Sequence, residues 1–216
     1  MNILPLTTLI PFLGAAVVLA ITPGPSIAYV VARTASGGRS EGLASCLGTA
    51  VGGTIHVLAA VFGLSLLLSQ SAGAFTAVKY LGAAYLIYLG VRTLMSRQAT
   101  PDPIVQSAPR TRTTGVRKAF VDGVFVEALN VKTALFFLAF IPQFVSPSAA
   151  PALQFVLLGG ICVLLNTVVD IAVVFASQRL LRPNAARAGR ARALTVASGC
   201  TMIGLGIYVG LTGRKG

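Results

Sequence analysis

The sequence predicts an all-α membrane protein with six transmembrane helices arranged as two inverted three-helix repeats. Three observations point there. The 216-residue chain is 55% hydrophobic and only 10% charged, with a mean hydropathy of +0.84, against roughly 25% charged residues in an ordinary soluble domain. Its apolar residues fall into six blocks, each near the ~20 residues that a helix needs to cross a hydrocarbon core of about 30 Å. A polar stretch in the middle then divides the blocks into three and three. Six spans with short connections leave no stretch for an extramembrane domain, so function is expected inside the bilayer.

The first block, Ile3–Ala32, runs past signal-peptide length with no Lys or Arg before it, and reads as a retained helix. Thr22-Pro23-Gly24-Pro25 lies inside it. A proline has no N–H and its ring clashes with the carbonyl one turn back, so Leu19 and Ile21 should lose their helical partners and the span should break. Such a break exposes a half-helix N-terminus, with Thr22 available as its cap and free amides suited to a carboxylate.

The second block, Leu43–Leu68, carries Gly48, Gly52-Gly53 and His56. A lone histidine there is either a packing and hydrogen-bonding residue or a proton relay. The third, Ala72–Met95, runs from Tyr80-Leu81-Gly82 to Tyr88-Leu89-Gly90. The fourth, Gly123–Val145, holds Glu127, Asn130 and Lys132. A lysine at the centre of a span costs roughly 2.5–3.5 kcal/mol on insertion scales, which calls for a partner or a water-filled cavity. Glu127 is about 140° from Lys132 around a regular helix, so the two are not expected to share a face. Asp170 of the fifth block, Ala152–Ala176, is the expected partner, with Asn166 one turn earlier on the same face. Asp122 and Lys118, four residues apart, read as a surface pair. The sixth block, Leu194–Leu211, contains Gly199, Gly204, Gly206, Tyr208 and Gly210. Glycine-rich faces pack helices closely within a chain or between chains, so a homo-oligomer stays open.

Helices 3 and 6 share a Gly and Tyr pattern, and helices 2 and 5 both open on glycine pairs, Gly52-Gly53 and Gly159-Gly160. A half with three spans enters its second copy from the opposite face, so the repeat is inverted. The halves are residues 1–96 and 115–216, joined by a basic linker at 97–114.

Lys and Arg are retained on the cytoplasmic side of helix ends. Arg33 and Arg39, then Arg92, Arg97, Arg110, Arg112, Arg117 and Lys118, then Arg179, Arg182, Arg187, Arg190 and Arg192 fall on one side, and Lys79, Arg214 and Lys215 on the other. Both termini are therefore expected outside. The same placement reads the net charge of +12 as a topology signal rather than a nucleic-acid surface. Cys46, Cys162 and Cys200 lie far apart in apolar blocks, without metal-site or disulfide spacing. No metal or cofactor is expected.

Together these residues resemble the LysE/RhtB family of bacterial amino-acid exporters. The resemblance rests on Thr22-Pro23-Gly24-Pro25, on Gly48, Gly52, His56 and Gly63-Leu64, on Tyr80 to Gly90, and most of all on Glu127 to Phe137 followed by Ile141-Pro142-Gln143-Phe144. It covers helices 5 and 6 only in general pattern. It implies six helices in two inverted halves and proton-driven efflux of amino acids or related metabolites across the inner membrane. It also implies that Thr22 to Pro25 and Asn130 to Lys132 face each other at the centre. Where the family reads Asn-Pro-Lys, this chain has Val131. With its N–H restored, Val131 can bond the Glu127 carbonyl, so helix 4 is expected to be straighter than in relatives.

The function read from this is secondary export, with Thr22, Pro23, Gly24, Pro25, Asn130 and Lys132 binding the substrate and Asp170, Glu127 or His56 exchanging protons. A metal-ion exporter of the same superfamily is the alternative within transport, weakened by a single His and scattered Cys. An intramembrane enzyme needs a nucleophile, base and orienting group close together, or a histidine cluster, and a single histidine makes both hard to build. An assembly factor is the other alternative, and a flux assay separates it from an exporter.

Overall fold

The computed structural model describes residues 4–70, 72–95, 115–146, 150–180 and 186–211. The regular structure among them is helical throughout: α1 (Leu6–Ile21), α2 (Pro25–Gln70), α3 (Ala72–Met95), α4 (Val116–Ala128), α5 (Val131–Leu135), α6 (Pro151–Leu180) and α7 (Ala186–Leu211). Between α5 and α6, Phe136–Phe140 forms a π-helical turn and Ile141–Phe144 a 3-10 turn. The whole is an all-α, multi-pass bundle.

Helix α2 cannot be straight, since 46 residues at 1.5 Å each would reach about 69 Å, over twice a hydrocarbon core. Gly38 supplies the turn, with φ 75° and ψ −168°, a backbone that a Cβ would strain. The chain folds back there, because a Cβ at Gly42 would touch the Thr34 side chain and Val30 packs with Cys46 against Val174. The expected loop between the first two spans is thus a hairpin within one helical stretch. Arg33 is not a loop residue but a buried one, 6% exposed.

Among the described residues, two stretches are long and apolar enough to cross a membrane, in Pro25–Gly63 and Pro151–Ala176, and Val116–Ala128 with Val131–Phe144, bent by 43°, makes a third. Their outward faces carry Ile55, Leu58, Phe62, Leu164, Val168 and Phe175, all exposed. Lipid is the medium in which such a surface is stable. Inside, Phe12 of α1 meets Phe136 and Phe144, and Phe140 stacks on Phe136 and reaches Tyr208 of α7. Gln154 of α6 pins the far end of this segment, accepting from Ser146 N–H at 2.9 Å and donating to its carbonyl at 3.1 Å.

Glycine sets the helix spacing, since apolar burial gives helices in lipid no driving force and close contact must hold them. Gly48 and Gly52 of α2 lie against the backbone of α4 at Phe120 and Val124, and Gly123 of α4 against the Ser45 carbonyl. Gly90 of α3 and Gly199 of α7 face each other's carbonyls, and Gly206 meets Ala83. These faces of α3 and α7 therefore pack within the chain. The 97–114 linker, with Arg97, Arg110 and Arg112, lies outside the described residues, as do Ser148, Arg182, Arg214 and Lys215.

A Cβ at Gly52 would stand 2.6 Å from the Val124 carbonyl, whereas one at Gly160 meets nothing within 4 Å. Gly52→Val should therefore destabilise the purified protein by about 1–3 kcal/mol or more, while Gly160→Val stays within about 0.5 kcal/mol. Thermal unfolding in detergent checks both.

Candidate substrate and coupling site

The first break is built as the prolines require. Helix α1 stops at Ile21, and Thr22 is extended at φ −72° and ψ 113°. Pro25 opens α2 at the first helical position, where a missing N–H costs nothing. Thr22 closes the end of α1 instead of capping α2: its hydroxyl donates to Val18 O at 2.6 Å and its N–H to Val18 O at 3.1 Å. Its side chain is spent on the preceding helix, which corrects the expected cap.

The break leaves Thr22 O outside the helical ladder and Leu19 O with only a long bond from Thr22 N–H at 3.3 Å, and Lys132 takes both. Its ammonium donates to Leu19 O at 3.3 Å and to Thr22 O at 2.9 Å. Leu19 is the carbonyl that Pro23 cannot serve. A Cβ at Gly24 would lie 3.1 Å from Nζ, so glycine lets the ammonium come close.

The second break lies in the fourth apolar block. Helix α4 ends at Ala128 and α5 begins at Val131, and Asn130 is extended between them at φ −74° and ψ 103°. Its side-chain oxygen accepts Lys132 N–H at 3.1 Å, an N-cap. The straight helix expected from Val131 is not formed. Val131 sits at the first helical position, where an N–H has no helical acceptor, so valine and proline serve equally there. The Glu127 carbonyl accepts instead from Asn130 N–H at 2.9 Å and from His56 Nε2–H at 2.8 Å.

The Glu127 side chain ties the breaks together. Oε1 accepts from the Thr133 hydroxyl at 2.7 Å, and Oε2 from Asn130 Nδ2 at 2.9 Å and from the Ser26 hydroxyl. Asn130 Nδ2 also reaches Ser26 Oγ at 3.1 Å. Each half-helix of the first break thereby meets its electrostatic complement: Lys132 at the negative end of α1, and Glu127 on the first turn of α2, the positive end. The 140° separation of Glu127 and Lys132 holds only for an unbroken helix, and both line one cavity.

That cavity has a volume of about 20 Å³, room for roughly one water. Glu127, Asn130 and Lys132 reach it from the second break, and Thr49, Asn166 and Asp170 from α2 and α6. Asp170 is 3% exposed and accepts from the Thr49 hydroxyl at 2.9 Å. The expected direct pair of Lys132 with Asp170 is not formed, because the carbonyls of the first break hold the ammonium. Thr22, Pro23, Gly24 and Pro25 do not line the cavity, nor does His56. They hold the breaks that shape it.

A second, partly buried polar cluster lies farther along α2 and α4. Arg33 donates to Asp122 Oδ2 at 2.6 Å and to the Tyr29 hydroxyl at 2.9 Å, and Tyr29 donates to Ala119 O at 2.9 Å. Asp122 therefore pairs with Arg33 and not with Lys118. Ser26, Thr49 and Thr133 were not singled out from sequence. Their only signal was a hydroxyl inside an apolar span, which usually bonds its own helix one turn back, as Thr167 does to Val163 O.

Val131→Pro should leave the fold unchanged, because Asn130 already has the extended backbone that precedes a proline. Thermal unfolding within about 0.5 kcal/mol of the parent is expected. A large loss would mean that the Val131 N–H is used.

Residues 17–213 match the model of the LysE type translocator family. The chain is 30% identical over 188 residues to an uncharacterized membrane protein of Pseudomonas aeruginosa, covering 87% of each chain. It is 31% identical over 162 residues to the membrane protein YrhP of Bacillus subtilis, covering 73% of this chain and 77% of that one. It is 28% identical over 169 residues to the homoserine/homoserine lactone efflux protein of Salmonella typhimurium, with 78% and 80% covered. No solved structure matches. A bundle whose breaks meet at a buried polar cavity, matched along nearly its whole length by that family model, is a membrane transporter, and the chain belongs to the LysE/RhtB family of translocators.

Proposed function

We propose that the protein exports amino acids or related small polar metabolites across the bacterial inner membrane, driven by protons moving the opposite way. The observation that carries this reading is the meeting of Lys132, Glu127 and Asp170 with two broken helices at one internal cavity. Ionisable groups at membrane depth are costly, and a cavity lined by both signs of charge suits a zwitterion. The Salmonella relative, named for efflux of homoserine and its lactone, supports the substrate class.

In this reading Lys132 and Asn130 hold the substrate carboxylate, and Thr22 to Pro25 shape the break that seats Lys132. Asp170 carries the proton. It has one hydroxyl donor, from Thr49, whereas Glu127 is held by Ser26, Asn130 and Thr133 and is committed to the breaks. His56 is likewise committed, to the Glu127 carbonyl. A cavity with room for about one water is too small for an amino acid. Loading requires α1 and α2 to move against α4 and α5, as in alternating access.

The transporter has six spans in two inverted halves with both termini outside. The corresponding breaks in the first and fourth blocks, and the charge bias along the sequence, support that arrangement. In a chain with Cys46, Cys162 and Cys200 replaced, single cysteines at positions 70 and 148 should react with a membrane-impermeant thiol reagent in intact cells, and those at 110 and 187 should not. The reverse pattern inverts the topology.

Proteoliposomes with an imposed pH gradient and a labelled amino-acid mixture test export. Flux in the parent should collapse with the gradient, and Lys132→Ala and Asp170→Asn should each lower it at least tenfold. Parent flux indifferent to the gradient would remove proton coupling, and unchanged flux in both variants would move the site elsewhere.

A further inference from the structure

We infer that Asp170, with Thr49 and Asn166, is the site of the substrate's amino group, and that this group and the coupling proton occupy the same carboxylate in turn. The inference rests on the export reading and deepens it, because it assigns recognition and coupling to one side chain.

The charges around the cavity do not balance. Glu127 and Asp170 bring two carboxylates, and Lys132 brings one ammonium. Lys132 is drawn to the Leu19 and Thr22 carbonyls and Glu127 is bound by three side chains, so the unmatched negative charge falls to Asp170. Low-dielectric surroundings make an unmatched charge costly, and a cationic group of small size relieves it.

Acceptors for such a group are in place. Asp170 Oδ2 takes the Thr49 hydroxyl, which also lies 2.9 Å from the Cys46 carbonyl, and among the described residues no hydrogen bond is made to Oδ1. Asn166 donates its Nδ2 to Cys162 O at 2.9 Å, so its side-chain oxygen is left as an acceptor on the cavity, one turn before Asp170. A primary ammonium has three N–H donors, and Asp170 and Asn166, one turn apart on α6 and both lining the cavity, offer it a carboxylate oxygen and an amide oxygen. Lys132 lies on the same cavity, so a zwitterion can direct its carboxylate to one charge and its amino group to the other.

The charged groups that share the cavity with Asp170 are Glu127 of α4 and Lys132 of α5, and α2 adds the Thr49 hydroxyl and the nearby Cys46 thiol. Exchange balances in charge. The incoming ammonium displaces the Asp170 proton into the water on the loading side, and on the far side a proton from that water displaces the ammonium and releases the substrate. Each cycle moves one zwitterion out and one proton in. Loading both cations together is unfavourable, because one carboxylate neutralises one of them, and this is what couples the flows.

The purified protein and simple cations test this without knowledge of the substrate. Thermal unfolding is followed while ammonium chloride is added, with sodium chloride and tetramethylammonium chloride at equal ionic strength as references. Ammonium should raise the melting temperature of the parent, by about 3 °C at ten times its dissociation constant. The rise should shrink as pH is lowered from 8, because the proton competes for the ionised carboxylate. Tetramethylammonium, which has no N–H and exceeds the cavity, should do nothing. Asp170→Asn and Asp170→Glu separate charge from shape: the first should lose the ammonium effect and its pH dependence, and the second should keep part of both. No ammonium effect in the parent, or an equal one in Asp170→Asn, overturns the assignment. An equal effect of sodium makes the site one for metal cations and also overturns it. Failure of export would appear separately, as no flux of any amino acid in proteoliposomes, and the ammonium titration would still decide the site.

Discussion

A break in a membrane helix releases carbonyls that no water in the hydrocarbon can satisfy, and the rest of this structure follows from how they are satisfied. Each break is completed by groups from elsewhere. Lys132, just past the second break, serves the Leu19 and Thr22 carbonyls of the first. Ser26, just past the first, binds Glu127 at the second, and His56 takes the Glu127 carbonyl. Each break draws partners from the other, so the polar centre and the pairing of the two regions are one feature. The glycines along α2 and α4 bring the backbones close enough for these short side chains to reach.

The contacts on either side of the site differ in kind. Along α2 and α4 the contacts beyond the cavity are polar: Ser26 with Glu127, Tyr29 with Ala119, Arg33 with Asp122. Beyond α1 the contacts are aromatic, with Phe12 against Phe136 and Phe144. The π-helical turn at Phe136–Phe140 lies in the aromatic half, and such turns interrupt the regular bond ladder that keeps a helix rigid.

Much of this was legible in the sequence because proline and buried charge each carry one strong physical meaning. Two prolines inside an apolar span announce the first break, and a lysine among apolar residues marks the polar centre but not the second break. The partners were harder. Asp170 looked like the natural mate of Lys132 because charges seek charges, but two freed carbonyls were nearer and served the ammonium instead. The straightness expected from Val131 was wrong for a related reason. Asn130 capping and the Ser26 and Thr133 hydroxyls on Glu127 make the break, and the residue at the first helical position does not. Arg33 read as a topology charge because a sequence shows sign and spacing but not the hairpin at Gly38 that buries it against Asp122. Hydroxyls were missed because a serine or threonine in an apolar helix usually bonds its own backbone.

Interlocking of the two breaks is measured most directly by a double-mutant cycle between Ser26 and Glu127. Ser26→Ala, Glu127→Gln and the double variant are unfolded in detergent, and the departure from additivity is taken as the coupling of the pair. A hydroxyl bound to a buried carboxylate that bridges the breaks gives a coupling of about 1.5–3 kcal/mol, with the double variant less destabilised than the two single losses together. Strict additivity would contradict the interlock and leave the two breaks as independent features that share a cavity.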